Sequence, residues 1–186
     1  MLALESTPPL RGHHFIEIVN FAKSVMSAAS KEDLEFARST DIDSQGPLIE
    51  YVLKHKLVSS EAEIWRALRM YNYTDFMRFI MELKMEYDVP RPFALAWIYG
   101  IRLPFEHDSV TVGSASYPSG HAAEARFFAH FLSREYLSGH AFEDAHRYEL
   151  FNIANRIAWG RVVLGVHSMQ DIREGKRLAD CLFAAT

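Results

Sequence analysis

A chain of 186 residues is long enough for one domain with a substantial core. With 49% hydrophobic and 24% charged residues it has a globular composition, which excludes a disordered chain. Its 20 Lys and Arg against 24 Asp and Glu leave net −4, so no basic excess drives nucleic-acid binding by counterion release. A single cysteine, Cys181, excludes an internal disulfide and a cysteine-built metal site. The longest uncharged apolar run, Phe93 to Ile101, falls well short of the roughly 20 residues that span a bilayer. The opening residues MLALESTPPLRGHH lack a signal peptide's basic head and apolar stretch. The expectation is a soluble, cytoplasmic protein without an integral membrane segment.

Gly and Pro are few, 9 and 7, and long stretches contain neither, which predicts helices joined by short loops. Residues 1–12, with Pro8 and Pro9, read as an extended lead. A first helix is expected from about His14 to Ser30, and Asp41 to Pro47 is a loop by composition. Ser60 and Glu63 have capping-box spacing and open a helix carrying Ile64, Trp65 and Leu68. Thr74 is the expected N-cap of the next helix, whose Phe76, Ile80, Leu83 and Tyr87 recur at helical spacing. Pro90 and Pro92 end it. Residues 102–118 are loop-like, and three helical patterns follow over about 119–137, 141–164 and 167–184. The fold class is therefore all-α: a single-domain helical bundle over residues 1–186, with a motif-bearing core at about 74–184.

Several helical patterns place charge where the apolar stripe calls for core. The stripe Leu150, Ile153, Ile157 continues to Arg161 and then Leu164. Leu182 and Leu178 extend backward to Glu174 or Gly175, then Asp171 and His167. Tyr136, Leu132, Phe128 and Ala125 extend back to His121, and Lys84 continues Met77 and Met81. Buried charges persist when they are paired, hydrogen-bonded or facing an anion. Lys84, Arg91 and Arg161 are cations and Asp171 the clear acid, so a partly buried, cation-rich pocket for a tetrahedral oxyanion is expected at one end of the bundle.

The same residues fall into three blocks: Lys84-x6-Arg91-Pro92, Pro118-Ser119-Gly120-His121 and Arg161-x5-His167-x3-Asp171. Together they resemble the signature of the type 2 phosphatidic acid phosphatase and vanadium haloperoxidase superfamily, which includes bacterial class A acid phosphatases. The blocks cover residues 84–171, and the 83 residues before them carry no readable motif. Gly160 stands where the third block commonly has serine, a departure that could cost a hydrogen bond to the anion.

The resemblance implies a role for each residue, and the chemistry supplies a reason. His167 would be the nucleophile that forms a phosphohistidine. Asp171, four residues on and so on the same helical face, would accept the proton on the other ring nitrogen. His121 would be the general acid for the leaving group and then the base that activates water, for which an imidazole pKa near about 6.5 is suited. Lys84, Arg91 and Arg161 would hold the non-bridging oxygens and offset transition-state charge. Ser119 and the Gly120 amide would add donors at a helix start. On an unbroken helix Arg161 and His167 would face roughly 120° apart. A break near Gly165 is therefore predicted, with His167 in the first turn of the final helix.

Other candidates receive blander readings. His140, Glu143, Asp144 and His146 could be drawn as a metal cluster, but the histidines diverge on a helix, and no metal is expected. The His13–His14 pair is read as surface. Met70, Met77, Met81 and Met85 are read as flexible core packing, Trp65, Trp97 and Trp159 as core or pocket wall, and Cys181 as inert and buried. Glu124 could orient His121, although a solvated position fits it better.

The function implied is a metal-independent phosphohydrolase acting on a small phosphorylated substrate with a phosphomonoester or pyrophosphate-type bond. The alternative is a vanadium-dependent haloperoxidase, in which His167 ligates vanadate in the same pocket; such relatives are generally larger chains. A non-catalytic phosphate- or headgroup-binding module ranks below both, because binding alone does not need His121, His167 and Asp171 together. No cofactor is expected, and vanadate enters as an inhibitor, or as cofactor under the alternative. Substrate choice is expected to lie in residues 40–75 and 100–116. Trp65, Tyr71, Tyr73 and Phe76 form a candidate homo-oligomer interface.

Overall fold

Local capping chemistry sets most of the helix boundaries in the computed structural model, which describes residues 5–10, 12, 14–106, 109–139 and 142–184. Helix α1 (His14–Ala28) stops just before Ser30, whose Oγ accepts from the Asp33 amide at 3.1 Å while Asp33 Oδ2 accepts from the Ser30 amide. That reciprocal cap opens α2 (Lys31–Ser39), an element the sequence pattern passed over. The predicted loop at 41–47 ends early, since α3 (Gly46–Lys54) begins with Pro47 in its first turn. Helix α4 (Glu61–Leu68) starts at Ser60 as predicted, although Glu63 Oε2 accepts from Ser59 instead of closing back onto Ser60.

Asn72, not Thr74, precedes α5 (Tyr73–Tyr87), because Tyr73 joins the helix with its ring packed against Phe127 and Phe128. Asp88 ends α5 in the left-handed region at φ 44°. Pro92 does not terminate a helix; it opens α6 (Pro92–Ile98), where the missing N–H costs no intrahelical bond. Helices α7 (Gly120–Tyr136), α8 (Glu143–Val163) and α9 (Met169–Ala184) match the three final patterns. Among the described residues of 101–119 there is no helix.

The architecture is all-helical, with nine helices and no strand among the described residues. Helix α7 is central and packs along both α8 and α9, with α2 on α8 and α1 on α6. Phe127, Phe128, Phe131 and Leu132 of α7 meet Ile64, Ile80, Leu150, Ile157 and Leu178 in the main core. Each such side chain contributes about 1.5–3 kcal/mol of burial, so this cluster holds α7, α8 and α9 in register and thereby fixes their site-bearing ends. Among the described residues, no helix is long and apolar enough to cross a membrane.

Gly160 has a packing reason. A Cβ there would lie 3.1 Å from Cα and Cβ of Ala37, so the position faces α2, and a serine would require that helix to give way by a few tenths of an ångström. Several core assignments need correction. The buried face of α5 is Phe76, Ile80, Leu83 and Lys84, which rotates Met81 and Met85 to the surface, and Met70 is exposed as well. Trp97 is 85% exposed and Trp159 also faces outward, whereas Trp65 packs edge-on against Phe128. Phe76 is buried on Phe127, and the half-buried Tyr71 and Tyr73 pack their rings against Phe131 and Phe128. Cys181 is half-buried beside Arg177.

Candidate active site

Every block residue sits at a helix end, and the ends are the same end of the bundle. Lys84 lies in the last turn of α5, Arg91 caps α6, Ser119, Gly120 and His121 begin α7, Arg161 is in the last turn of α8 and Asp171 in the first turn of α9. The helix breaks at Gly165, as predicted: its φ of +67° is left-handed, a conformation that favours glycine. The Arg161 carbonyl then accepts from the amides of both Val166 and His167, at 3.1 and 3.2 Å. His167 itself lies two residues ahead of α9 and not in its first turn. The cause is a second capping box: the Asp171 amide donates to Ser168 Oγ at 3.2 Å, and the Ser168 amide to Asp171 Oδ2 at 2.7 Å.

One half of the site is built around His167, which is 2% exposed. Arg91 Nη1 donates to His167 Nε2 at 3.2 Å, so Nε2 carries the lone pair and Nδ1 the proton. Nδ1 faces Ser116 Oγ and Asp171 Oδ2, each at 3.4 Å, while Ser116 donates to Asp171 at 2.6 Å. Burial, reinforced by Lys84 and Arg91, holds the His167 imidazole well below its ordinary pKa, so the ring is neutral. Burial also raises Asp171, against the hydrogen bonds from Ser116 and Ser168 that favour its charge.

The other half gathers around Asp41, from the segment between α2 and α3. Its carboxylate accepts from Ser109 Oγ at 2.7 Å, the Val110 amide at 2.8 Å, Thr111 Oγ1 at 3.0 Å and Arg161 Nη1 at 2.5 Å. Burial opposes the charge, but the hydrogen bonds from Ser109, Arg161 and Val110 outweigh it and hold Asp41 at about 2. The Asp41 carbonyl accepts from His121 Nε2 at 2.8 Å. Burial first, and Arg161 second, push His121 down to about 4.

Thr111 joins the halves. Its carbonyl accepts from Arg91 Nη2 at 3.4 Å, and its hydroxyl from Arg161 Nη2 at 3.0 Å. Lys84 Nζ donates to the carbonyls of Ala115 and Ser116 at 2.7 and 3.2 Å, leaving a third ammonium hydrogen. Burial, with Arg91 nearby, lowers Lys84 to about 7. Gly120 adjoins it, since a Cβ there would sit 3.9 Å from Lys84 Cε. Ser119 is buried and caps α7, accepting from the Ala122 amide at 3.3 Å, while its own amide donates to the Asp171 carbonyl. Arg161 is fully buried, and its Nε–H has no acceptor among the described residues.

The structure thus brings Lys84, Arg91, His167 and Asp171 together, and His121 with Arg161. It adds Asp41, Ser109, Thr111, Ser116 and Ser168, which the sequence reading did not single out. Only Ser168 had a legible signal, the capping-box spacing to Asp171. Glu124 neither orients His121 nor stands in solvent; it accepts from Ser44 and Tyr73, which pins the segment carrying Asp41 to α7. His146 instead contacts Tyr51 at 2.9 Å and the His55 ring, and Glu143 pairs with Arg147. His14 bonds Glu17, while His13 and His140 lie outside the described residues.

No protein-family model matches the chain, and no curated protein does. Among solved structures, it is similar to the crystal structure of a PAP2-type phosphatidylglycerolphosphate phosphatase from Bacillus subtilis, described as transmembrane. The TM-score is 0.39 and the identity 20%, over 94% of this chain and 94% of that one.

Proposed function

We propose that the chain is a phosphohydrolase of the type 2 phosphatidic acid phosphatase and vanadium haloperoxidase superfamily, cleaving a phosphate ester or anhydride through a phosphohistidine. The observation that carries this reading is the orientation of His167: Arg91 donates to Nε2, and Nδ1–H faces Ser116 and the Asp171 carboxylate. A neutral imidazole whose Nε2 lone pair meets Arg91, with the Lys84 and Arg161 charges near the ring, becomes free to attack an electron-poor phosphorus once Arg91 turns its donor to the phosphoryl oxygens.

In the first half-reaction His167 Nε2 forms the bond to phosphorus as the bond to the leaving oxygen breaks. His121, protonated, transfers its proton to that oxygen. The imidazolium formed at His167 is stabilised by Asp171, which accepts at Nδ1–H. In the second half-reaction His121, now neutral, takes a proton from water; the resulting oxygen attacks phosphorus, the P–N bond breaks and His167 returns. Lys84, Arg91 and Arg161 offset charge on the three non-bridging oxygens in both transition states. The set of donors fits one tetrahedral oxyanion, and hence a small phosphorylated substrate. Vanadate, which mimics the five-coordinate transition state, is the expected inhibitor.

The test is hydrolysis of an aryl phosphate in EDTA across pH 4.5 to 8, with His167→Ala as control. Metal-independent turnover that disappears in the variant is the expected result. Turnover retained by His167→Ala would overturn the mechanism, and vanadate-dependent halide oxidation without phosphatase activity would favour the peroxidase.

A further inference from the structure

Asp41 reaches the site from 80 residues before His121 and 120 before Arg161, and touches both. We propose that Asp41 is a positioning residue for the hydrolytic reaction: its carboxylate turns the Arg161 guanidinium so that Nε–H faces the oxyanion, and its carbonyl fixes His121 in the tautomer that leaves Nδ1 for proton transfer. This inference rests on the phosphohydrolase reading.

Arginine presents five N–H groups in one plane. Arg161 directs Nη1 to Asp41 and Nη2 to Ser109 and Thr111, at 3.2 and 3.0 Å. The second Nη1–H and Nε–H remain, and Nε is the buried guanidinium nitrogen with no acceptor at all among the described residues. A buried charged donor left unpaired is costly, and an oxyanion on that edge removes the cost.

Asp41 is a template for this geometry, because Ser109, Val110 and Thr111 all donate to its carboxylate, while Ser109 and Thr111 also accept from Arg161 and so tie the two together. Ser44, three residues on, is tied to Glu124 of α7, one turn beyond His121. The carboxylate is therefore built into the wall that carries Arg161 and His121.

The His121 tautomer is set by geometry and not by charge. A carbonyl oxygen can only accept, so His121 Nε2 carries a proton, and the neutral ring has its lone pair on Nδ1. Nδ1 is then the atom that delivers a proton to the leaving oxygen and later takes one from water.

The experiment compares wild type with Asp41→Asn and Asp41→Ala in aryl phosphate hydrolysis and orthovanadate affinity, with nitrogen-15 NMR of the wild-type His121 ring. Asp41→Asn keeps the size and an acceptor oxygen, and a thermal melt identifies any variant that has not folded. The expected kcat/KM losses are about tenfold for asparagine and about 10²-fold for alanine, the scale of a misplaced catalytic group, with kcat falling more than KM rises. Vanadate affinity falls in the same order, and the wild-type ring is protonated at Nε2. Variants that hydrolyse faster or bind vanadate more tightly would make the carboxylate an occupant that substrate displaces, which overturns the proposal. A ring protonated at Nδ1 alone overturns it too. Active, vanadate-binding wild type matched by both variants overturns this inference alone; wild type that neither hydrolyses nor binds overturns the functional reading with it.

Discussion

The two histidines of the site are held in opposite ways. His167 is fixed by neighbours in the chain: a left-handed Gly165 two residues before it and the Ser168–Asp171 capping box directly after it. His121 is fixed from far away, by the carbonyl of Asp41, while Asp41 in turn depends on Ser109, Thr111 and Arg161. The nucleophile is thus positioned by local backbone geometry, and the proton-transfer group by tertiary assembly of three segments. A nucleophile tolerates little angular error, because its attack must be in line with the leaving oxygen, whereas proton transfer leaves more room.

Breaking the locally held half has the largest expected effect. His167→Ala removes the attacking atom and should lower turnover by at least about 10⁴-fold, measured as kcat on an aryl phosphate. His121→Ala should cost about 10²- to 10⁴-fold in kcat with a smaller change in KM, since the nucleophile and anion donors remain. Equal losses with good and poor leaving groups would contradict this, because an activated leaving group needs less proton transfer.

Lys84 sharpens the comparison through pH. Burial and Arg91 depress its ammonium to about 7, so its charge is present below that pH and lost as pH rises through it. A falling limb in kcat/KM above about 7 is expected, absent in Lys84→Met, whose overall loss should be about 10²- to 10³-fold. His121, depressed to about 4, makes the protonated acid scarcer as pH rises, which places the optimum on the acid side of neutrality. The smallest effect belongs to Ser44→Ala. It loosens the Asp41 segment from Glu124 without touching the site, so a loss of about 1 kcal/mol in stability and a few-fold in kcat are expected, read by thermal melts and steady-state kinetics.

That division also explains what was legible in the chain. The anomaly of Arg161, His121 and Asp171 on inward stripes was visible because helical period survives tertiary context, and so were α7, α8, α9 and the Gly165 break. Helix α2 and the entry to α9 were missed although their capping boxes, Ser30 with Asp33 and Ser168 with Asp171, are spelled out locally. Met77 does pack against the core, but Met81 and Met85 misled because α5 buries the adjacent face led by Ile80, Leu83 and Lys84. Asp41 had no local signal. It is one of two acids in a turn, distinguished only once the chain brings Arg161, Ser109 and Thr111 around it. Gly160 likewise has its reason in Ala37 of α2, not in the block that contains it.

The measurement that bears most directly on the divided roles of the two histidines is rapid-quench trapping of the phosphoenzyme during turnover of an aryl phosphate. The account predicts an acid-labile, alkali-stable phosphoryl group on His167, absent from His167→Ala and accumulating in His121→Ala as its hydrolysis slows. Turnover that proceeds with no phosphoryl group on His167, or with one on another side chain, would contradict it.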